Sequence, residues 1–428
     1  MTLAVLLACL LAGALVTNLN AQDPKYQAEI GRLVERPQLR QAFQIIEQLE
    51  PRTQKDLVTL TEIASPPFME TNRARKYAEM LREAGADTVY IDEVGNVIAR
   101  RKGTGNGRTV VLEGHLDTVF PEGTDVTVKQ RGDTLFAPGV GDDTRGLMVV
   151  LTVLRALSEA HVRTQADILF IGTVGEEGLG DLRGVKHIFR QGGPHVDSWI
   201  AVDGGDIGRI VNGGLGSHRY RVTFKGPGGH SWGAFGLGNP AHAMSRAVRI
   251  FDDAARVYVA HGPKSSYNVG RIGGGTSVNS IPFSAWMEVD MRSESPQRLL
   301  GIDSIFHSAM MQGLREQNEL RLHGDALSVT LDMIGDRPSG NGDDNSPLAS
   351  RAYASAKHFG AEPSFAISST NSNIPIAIGV PAVTIGRGGV GGGGHSLREW
   401  WLNRNGHIAI QNALAILVAE AGVASTVP

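Results

Sequence analysis

The sequence predicts an α/β protein, a mixed sheet covered by helices, interrupted by a smaller α+β unit. Continuous apolar strand-like runs alternate with helical patterns, which marks a sheet buried on both faces. Near residue 216 the rhythm changes to β-α-β-β-α-β, the order of a ferredoxin-like split βαβ unit. After residue 336 helix and buried strand return, so the unit reads as an insertion. At 428 residues the chain is too long for one small core, and a large domain carrying an insertion suits that length. The expected boundaries are an export segment at 1–21, one domain in two parts at 22–215 and 337–428, and the inserted domain at 216–336.

From 51 to 86, "RTQKDLVTLTEIA" and "NRARKYAEMLREAG" place apolar residues at three- and four-residue spacing and read as helices. "TVYIDEVGNVIARRKG" and "RTVVLEGH" read as strands, "RGLMVVLTVLRALSEA" as a helix, and "ADILFIGTV" and "SWIAVDGG" as buried strands. The inserted unit runs through "HRYRVTFKG", a helix at 239–257, "SYNVGRIGG", "SAWMEVDMRS", a helix at 296–317 and "LSVTLDMIG". "PLASRAYASAKHFGA" and "PAVTIG" follow, and "GHIAIQNALAILVAEAG" reads as a closing amphipathic helix.

Composition narrows the function. A formal net charge of -3 gives no basic footprint for nucleic acid. The 54 glycines cluster in "GGVGGGGHS" and "IGGGTSVN", as expected where backbone turns sharply or approaches a ligand. No Walker sequence or well-placed G-x-G-x-x-G supports nucleotide binding. The apolar run at 3–16 followed by polar "TNLNAQDPKYQ" has signal-peptide chemistry and predicts export to a periplasmic or extracellular location, with no other membrane association. An uncleaved anchor is the alternative. Cys9 is the only cysteine and falls inside that run, so a processed chain would have neither disulfides nor thiol chemistry.

Charged residues gather where buried strands should end. "VVLEGHLDTV" carries His115 and Asp117, "PGVGDDTRG" carries Asp142 and Asp143, "GTVGEEGLG" carries Glu176 and Glu177, and "IAVDGGD" carries Asp203. His395 follows far downstream in "GGGGHS". Singly each has a bland explanation: a core histidine, a helix cap or a turn aspartate. In an open α/β sheet, however, the carboxyl ends of the strands converge, and such a set would repel or stay unpaired without a cation. Two histidines and three carboxylates suit zinc, or less selectively cobalt or manganese.

With "HLD", "GDD", "EE", "VDG" and a late "GGGHS" in this order, the chain resembles the dinuclear zinc exopeptidases and deacylases. These include glutamate carboxypeptidase, peptidase T, acetylornithine deacetylase and succinyl-diaminopimelate desuccinylase. The resemblance spans nearly everything from Pro51 to the C-terminal helix. It implies a catalytic domain with an inserted lid or dimerisation domain, two zinc ions per subunit and a homodimer. By position, Asp142 would bridge the metals, with His115 and Asp203 on one and Glu177 and His395 on the other. Asp117 would hydrogen-bond His115 and fix its tautomer, and the Asp142-Asp143 peptide would be cis. Glu176 would be the general base beside metal-activated water.

The resemblance also assigns residues of the insertion. His230, in "KGPGGHSWG", would stabilise the oxyanion from the partner subunit, and Asn279 and Arg292 would bind substrate. A guanidinium fork suits a substrate carboxylate, a role for which Arg337 is a weaker candidate. Asn371 departs from the pattern, since close relatives commonly carry Asp there. Trp400 and Trp401 fit either a pocket lining or packing. The function expected is therefore metal-dependent hydrolysis of an amide bond in small peptides next to a free terminus. Deacylation of N-acyl amino acids is the alternative, and a non-catalytic metal-binding protein is disfavoured because Glu176 and all five ligands are present.

Overall fold

A computed structural model describes residues 23–105 and 107–424. The expected export segment, Cys9 included, lies outside the described residues. Two units with separate apolar cores are built along the chain.

The larger unit is organised by a nine-stranded mixed sheet. Its order is Thr88–Ile91, Val97–Arg101, Asp167–Thr173, Thr109–His115, Ser198–Val202, Ala382–Ile385, Arg209–Gly214 and Gly340–Asn341, with Ser364–Ser368 also pairing Arg209–Gly214. The four central strands from Asp167–Thr173 to Ala382–Ile385 are mutually parallel, so their carboxyl ends share one edge. Their near-continuous apolar sequences follow from burial on both faces. Val110, Leu112, Ile168, Phe170, Ile200 and Val202 point into the main core, and Val111, Leu169, Ile171, Trp199 and Ala201 into a smaller one. The two-residue side-chain period of a strand delivers that alternation. Each valine, leucine, isoleucine or phenylalanine among them, taken fully from water, contributes on the order of 1.5–3 kcal/mol before entropy is counted.

Helices Thr144–Glu159, Pro347–His358 and Gly406–Ala421 pack over the main core. The last corrects a sequence expectation. From Ala409 to Ala421 the helix is buried all round, not on one stripe. The face expected in water is covered by Pro24–Val34 and Pro37–Gln48, two helices the sequence reading did not place. "TVYIDEVGNVIARRKG" likewise forms two strands, not one. Asp92 accepts from the N–H groups of Val94, Gly95 and Asn96, and Gly95 at φ 105° turns the hairpin.

The smaller unit has strands Gly216–Lys225, Ser265–Gly274, Ser284–Ser293 and Ser328–Arg337. All pair antiparallel, with the second beside the third, the third beside the first and the first beside the fourth, a ferredoxin-like arrangement. Helices Pro240–Val259 and Pro296–Glu319 cover one face. Asn239 and Ser295 cap their N-termini and proline opens each. The strands alternate buried with more exposed residues, as a sheet packed on one face requires.

Candidate metal centre

The parallel strands aim their ends at one place. Thr109–His115 closes on His115; Asp167–Thr173 leads to Glu176 and Glu177; Ser198–Val202 leads to Asp203; Ala382–Ile385 leads to Arg387. Asp142 enters from the turn before Thr144–Glu159, and the Asp142–Asp143 peptide is cis. His395, at φ 60°, completes the group from the glycine-rich loop.

Asp142 is the centre. Its Oδ1 lies 3.2 Å from His115 Nε2 and its Oδ2 3.2 Å from His395 Nε2, while His395 Nε2 is 2.9 Å from Glu177 Oε1. Donor atoms of His115, Asp142 and Asp203 lie within 4.8 Å of one another, as do those of Asp142, Glu177 and His395, and those of His115, Glu176 and Glu177. The five residues expected as ligands therefore gather as two sets sharing Asp142. A pocket of about 390 Å³ opens over them, lined by Asp142, Glu176, Glu177, Asp203 and His395 and faced by Arg219, Arg292 and Arg337.

The electrostatics fit a cation. Burial pushes Glu176 well above the ordinary carboxyl range against the opposing charge of Arg337, and burial with the Asp142 charge raises Asp203. Burial opposes a charged His115, yet the Asp142 hydrogen bond and the charges of Asp143, Asp142 and Asp117 hold its pKa well above normal. Hydrogen bonds to Asp142 and Glu177 raise His395 to about 10. The imidazoles thus take protons as counter-charge, which a coordinated metal would replace. Among the described residues Glu176 pairs with the guanidinium of Arg337, and Asp142, Asp143 and Asp203 share that of Arg387, while the ion-pair partner of Glu177 is His395. The donor set, imidazole and carboxylate without thiolate, matches zinc and neighbouring divalent ions.

Asp117 requires a correction. His115 Nδ1 meets the backbone carbonyl of Asp117 at 3.0 Å, whereas the nearer carboxylate oxygen is 3.9 Å away. The chain leaves the strand after His115, so the Asp117 side chain does not lie beside it on a strand face. The carboxylate instead accepts from the N–H groups of Glu176 at 3.1 Å and Glu177 at 2.8 Å, fixing the turn that presents both glutamates.

Arg337 is buried against Glu176, donating to Oε1 at 3.2 Å and also to the Glu176 carbonyl and Ser369 Oγ. Arg292 reaches the pocket while held by Asp290 at 2.7 Å. His230 and Asn279 are not brought to the cluster. They sit side by side on exposed backbone of the smaller unit, where the Ser231 N–H donates to the Asn279 carbonyl. Asn371 is buried outside the pocket lining, its amide donating to Glu113 Oε1 at 2.6 Å and Thr173 Oγ1 at 2.8 Å. Trp401 packs under Arg145 and donates to the Gly388 carbonyl, while Trp400 lines a small cavity beside Arg387.

Three residues escaped the sequence reading. Arg219, paired with Asp290 at 2.8 Å, joins the pocket wall. Glu399 accepts from the N–H groups of Gly139, Gly141 and Asp142 at 2.8–2.9 Å and so sets the Asp142 turn. Arg387 pairs with three carboxylates of the cluster. Only Arg387 carried a signal, standing two residues after an apolar strand much as Asp203 stands one residue after another.

Residues 111–418 match the model of peptidase family M20/M25/M40. The chain belongs to this family. Among curated relatives, succinyl-diaminopimelate desuccinylase of Corynebacterium glutamicum is 27% identical over 241 residues, covering 54% of this chain and 64% of the relative. Carboxypeptidase G2 of Pseudomonas sp. (strain RS-16) is 25% identical over 237 residues, 54% of each. The chain thus spans about a third to two thirds of the length of the first curated relatives it matches. Aminopeptidase PepT of Bacillus cereus has the same fold, with a TM-score of 0.69 at 20% identity over 87% of this chain and 99% of that one. Human carnosine dipeptidase 1 gives a TM-score of 0.65 at 16% identity over 89% and 99%.

Proposed function

We propose that this M20 protein is a dinuclear metal-dependent exopeptidase that hydrolyses the amide bond of small peptides next to a free terminus. The supporting observation is Asp142, whose two oxygens face His115 and His395 on opposite sides beside buried Glu176. His115 and Asp203 would hold one ion, Glu177 and His395 the other, with Asp142 between them. Two divalent ions, for which zinc is the first choice and cobalt or manganese the next, would acidify water and stabilise developing negative charge.

Glu176 is the base. Arg337 engages Oε1 and the Glu176 carbonyl, so Oε2 is the oxygen assigned to take the proton and return it to the leaving amine. Asp117 holds the Glu176 and Glu177 backbone so that one glutamate ligates while its neighbour stays free. Arg292, Arg219 and Arg337 make the far wall cationic and favour a substrate with a free carboxylate. The same wall supports a second reading, deacylation of N-acyl amino acids, which the desuccinylase relative also favours.

We further assign the chain to a periplasmic or extracellular location, on the apolar run at 3–16, and to a homodimer in which His230 and Asn279 serve the partner's site. Among the described residues no helix is long and apolar enough to cross a membrane.

The test is hydrolysis of dipeptides, tripeptides, end-blocked peptides and N-acyl amino acids by the zinc-loaded protein and by Glu176→Ala at equal metal content. Cleavage of peptides by wild type alone supports the reading, and the blocked terminus that abolishes it gives the polarity. Cleavage of N-acyl amino acids only would replace it with the deacylase. If the metallated wild type cleaves nothing, the enzymatic reading falls.

A further inference from the structure

The two halves of the cluster are not equivalent, and the asymmetry divides at Asp142. On the Oδ2 side, the ion pairs of Asp142 and Glu177 among the described residues are both made by His395. On the Oδ1 side, Asp142 faces His115 at 3.2 Å and also Arg387 Nη1 at 3.5 Å. The same nitrogen lies 3.4 Å from Asp203 Oδ1 and 3.5 Å from Asp143 Oδ1. One guanidinium nitrogen is therefore shared by three carboxylates, all in the half containing His115.

Backbone geometry fixes this arrangement. The Arg387 N–H donates to the Gly204 carbonyl at 3.1 Å, continuing the pairing of adjacent strands, and its carbonyl accepts from Arg145 Nε at 3.3 Å. A Cβ at Gly386 would collide with the Asp206 carbonyl, so the chain runs tight against its neighbour just before the arginine. The side chain is not wedged in, because a cavity of about 220 Å³ borders it, walled by Gly141, Gly205, Glu399 and Trp400.

We propose that Arg387 is a resident counter-cation that makes the His115/Asp142/Asp203 half the weaker of two unequal metal sites. The proposal rests on the metal-centre reading given above. Arginine keeps its charge at any working pH. A fixed cation touching the carboxylates that a metal must share both repels the metal and has already neutralised part of what attracts it. In the other half Glu177 has no guanidinium ion pair among the described residues, its partner being His395. That half fills first, and the Asp203 half fills only at higher metal concentration.

Zinc and cobalt titrated into chelator-stripped protein, followed by calorimetry and by metal content after dialysis, test this directly. Wild type is expected to bind in two separated steps. Asp203→Asn should abolish the weaker step and His395→Ala the tighter one. Arg387→Met should tighten the weaker step by about tenfold or more, the scale on which residues behind metal ligands act, and Arg387→Lys should stay near wild type. The stripped Arg387→Met protein should also melt at lower temperature than stripped wild type, a difference that narrows once metal is bound. If the methionine variant does not fold, Arg387→Gln serves in its place.

Two indistinguishable steps in wild type would overturn the proposal. So would an unchanged weaker step in the Arg387 variants, or loss of the tighter step in Asp203→Asn. A wild type that binds no divalent ion would overturn the metal-centre reading itself, and the inference with it.

Discussion

The two units contribute opposite charge to the same pocket. The larger unit supplies Asp142, Glu176, Glu177 and Asp203, and the ferredoxin-like sheet supplies Arg219, Arg292 and Arg337. Their architectures explain the division. Parallel strands buried on both faces can place polar groups only at their ends, so the larger unit concentrates its functional groups at one edge. An antiparallel sheet packed on one face leaves the other open, and Arg219, Asp290 and Arg292 stand at nearby positions on adjacent strands of the smaller unit. A rim of carboxylates and histidine and a wall of arginines thus come from different folding patterns and meet across a cleft.

The sharpest way to break this comparison is to remove the carboxylate proposed as the base. Glu176→Gln is expected to lower kcat/KM on the preferred peptide by about a thousandfold with metal content unchanged, measured by steady-state kinetics beside elemental analysis. Next is a contact in which the units pair buried charged side chains. Arg337→Met leaves Glu176 buried without its guanidinium and should cost the chelator-stripped protein about 3 kcal/mol in urea unfolding. Unchanged stability would show that the pair does not join the units.

Arg292→Ala tests the cationic wall alone. It should raise KM for substrates with a free carboxylate about tenfold and leave kcat and end-amidated substrates nearly unaffected. Asn371→Asp would set a second carboxylate against Glu113, which burial already raises to about 7. A loss of about 1–2 kcal/mol at pH 8, smaller at pH 5.5 where Glu113 keeps its proton, is expected from denaturant curves at the two pH values.

The smallest effect belongs to the open sheet. A hydrogen bond to Asp303, working against burial and aided by the Asp303 and Asp336 charges, raises the His218 pKa. A raised histidine stabilises fully below its unfolded value near 6.5 and loses that contribution as pH climbs through the folded value. The stability difference between wild type and His218→Asn should therefore be largest at pH 6 and fade by pH 9.

Much of this was legible in the sequence because strand ends announce themselves. An apolar run that stops at His, Glu-Glu or Asp-Gly marks a strand end and its polar groups, and His115, Glu177 and Asp203 were readable for that reason, while Asp142 stood out in a glycine-flanked turn before a helix. Arg219 was not, since an arginine inside an alternating strand looks like any solvated position until the facing surface is known. Glu399 binds three N–H groups more than 250 residues earlier, a contact no local pattern encodes. Asp117 shows the converse: its importance was legible, but which of its oxygens touches His115 depended on where the strand ended. The closing helix was misjudged for a similar reason, because its outward face is covered by helices near the other end of the described chain.

The long reach of Glu399 also has a consequence for the order in which the molecule is made. During synthesis the acidic turn at Asp142 and the strand ends at His115, Glu176 and Asp203 emerge first. The strand Ala382–Ile385, Arg387 and Glu399 emerge only after the whole ferredoxin-like unit. Until then the nascent cluster has neither its fourth parallel strand nor the carboxylate that sets its turn. The site is therefore completed only once residues 382–399 have followed the inserted unit, and a ribosome stalled before residue 382 would present the carboxylates without the groups that organise them.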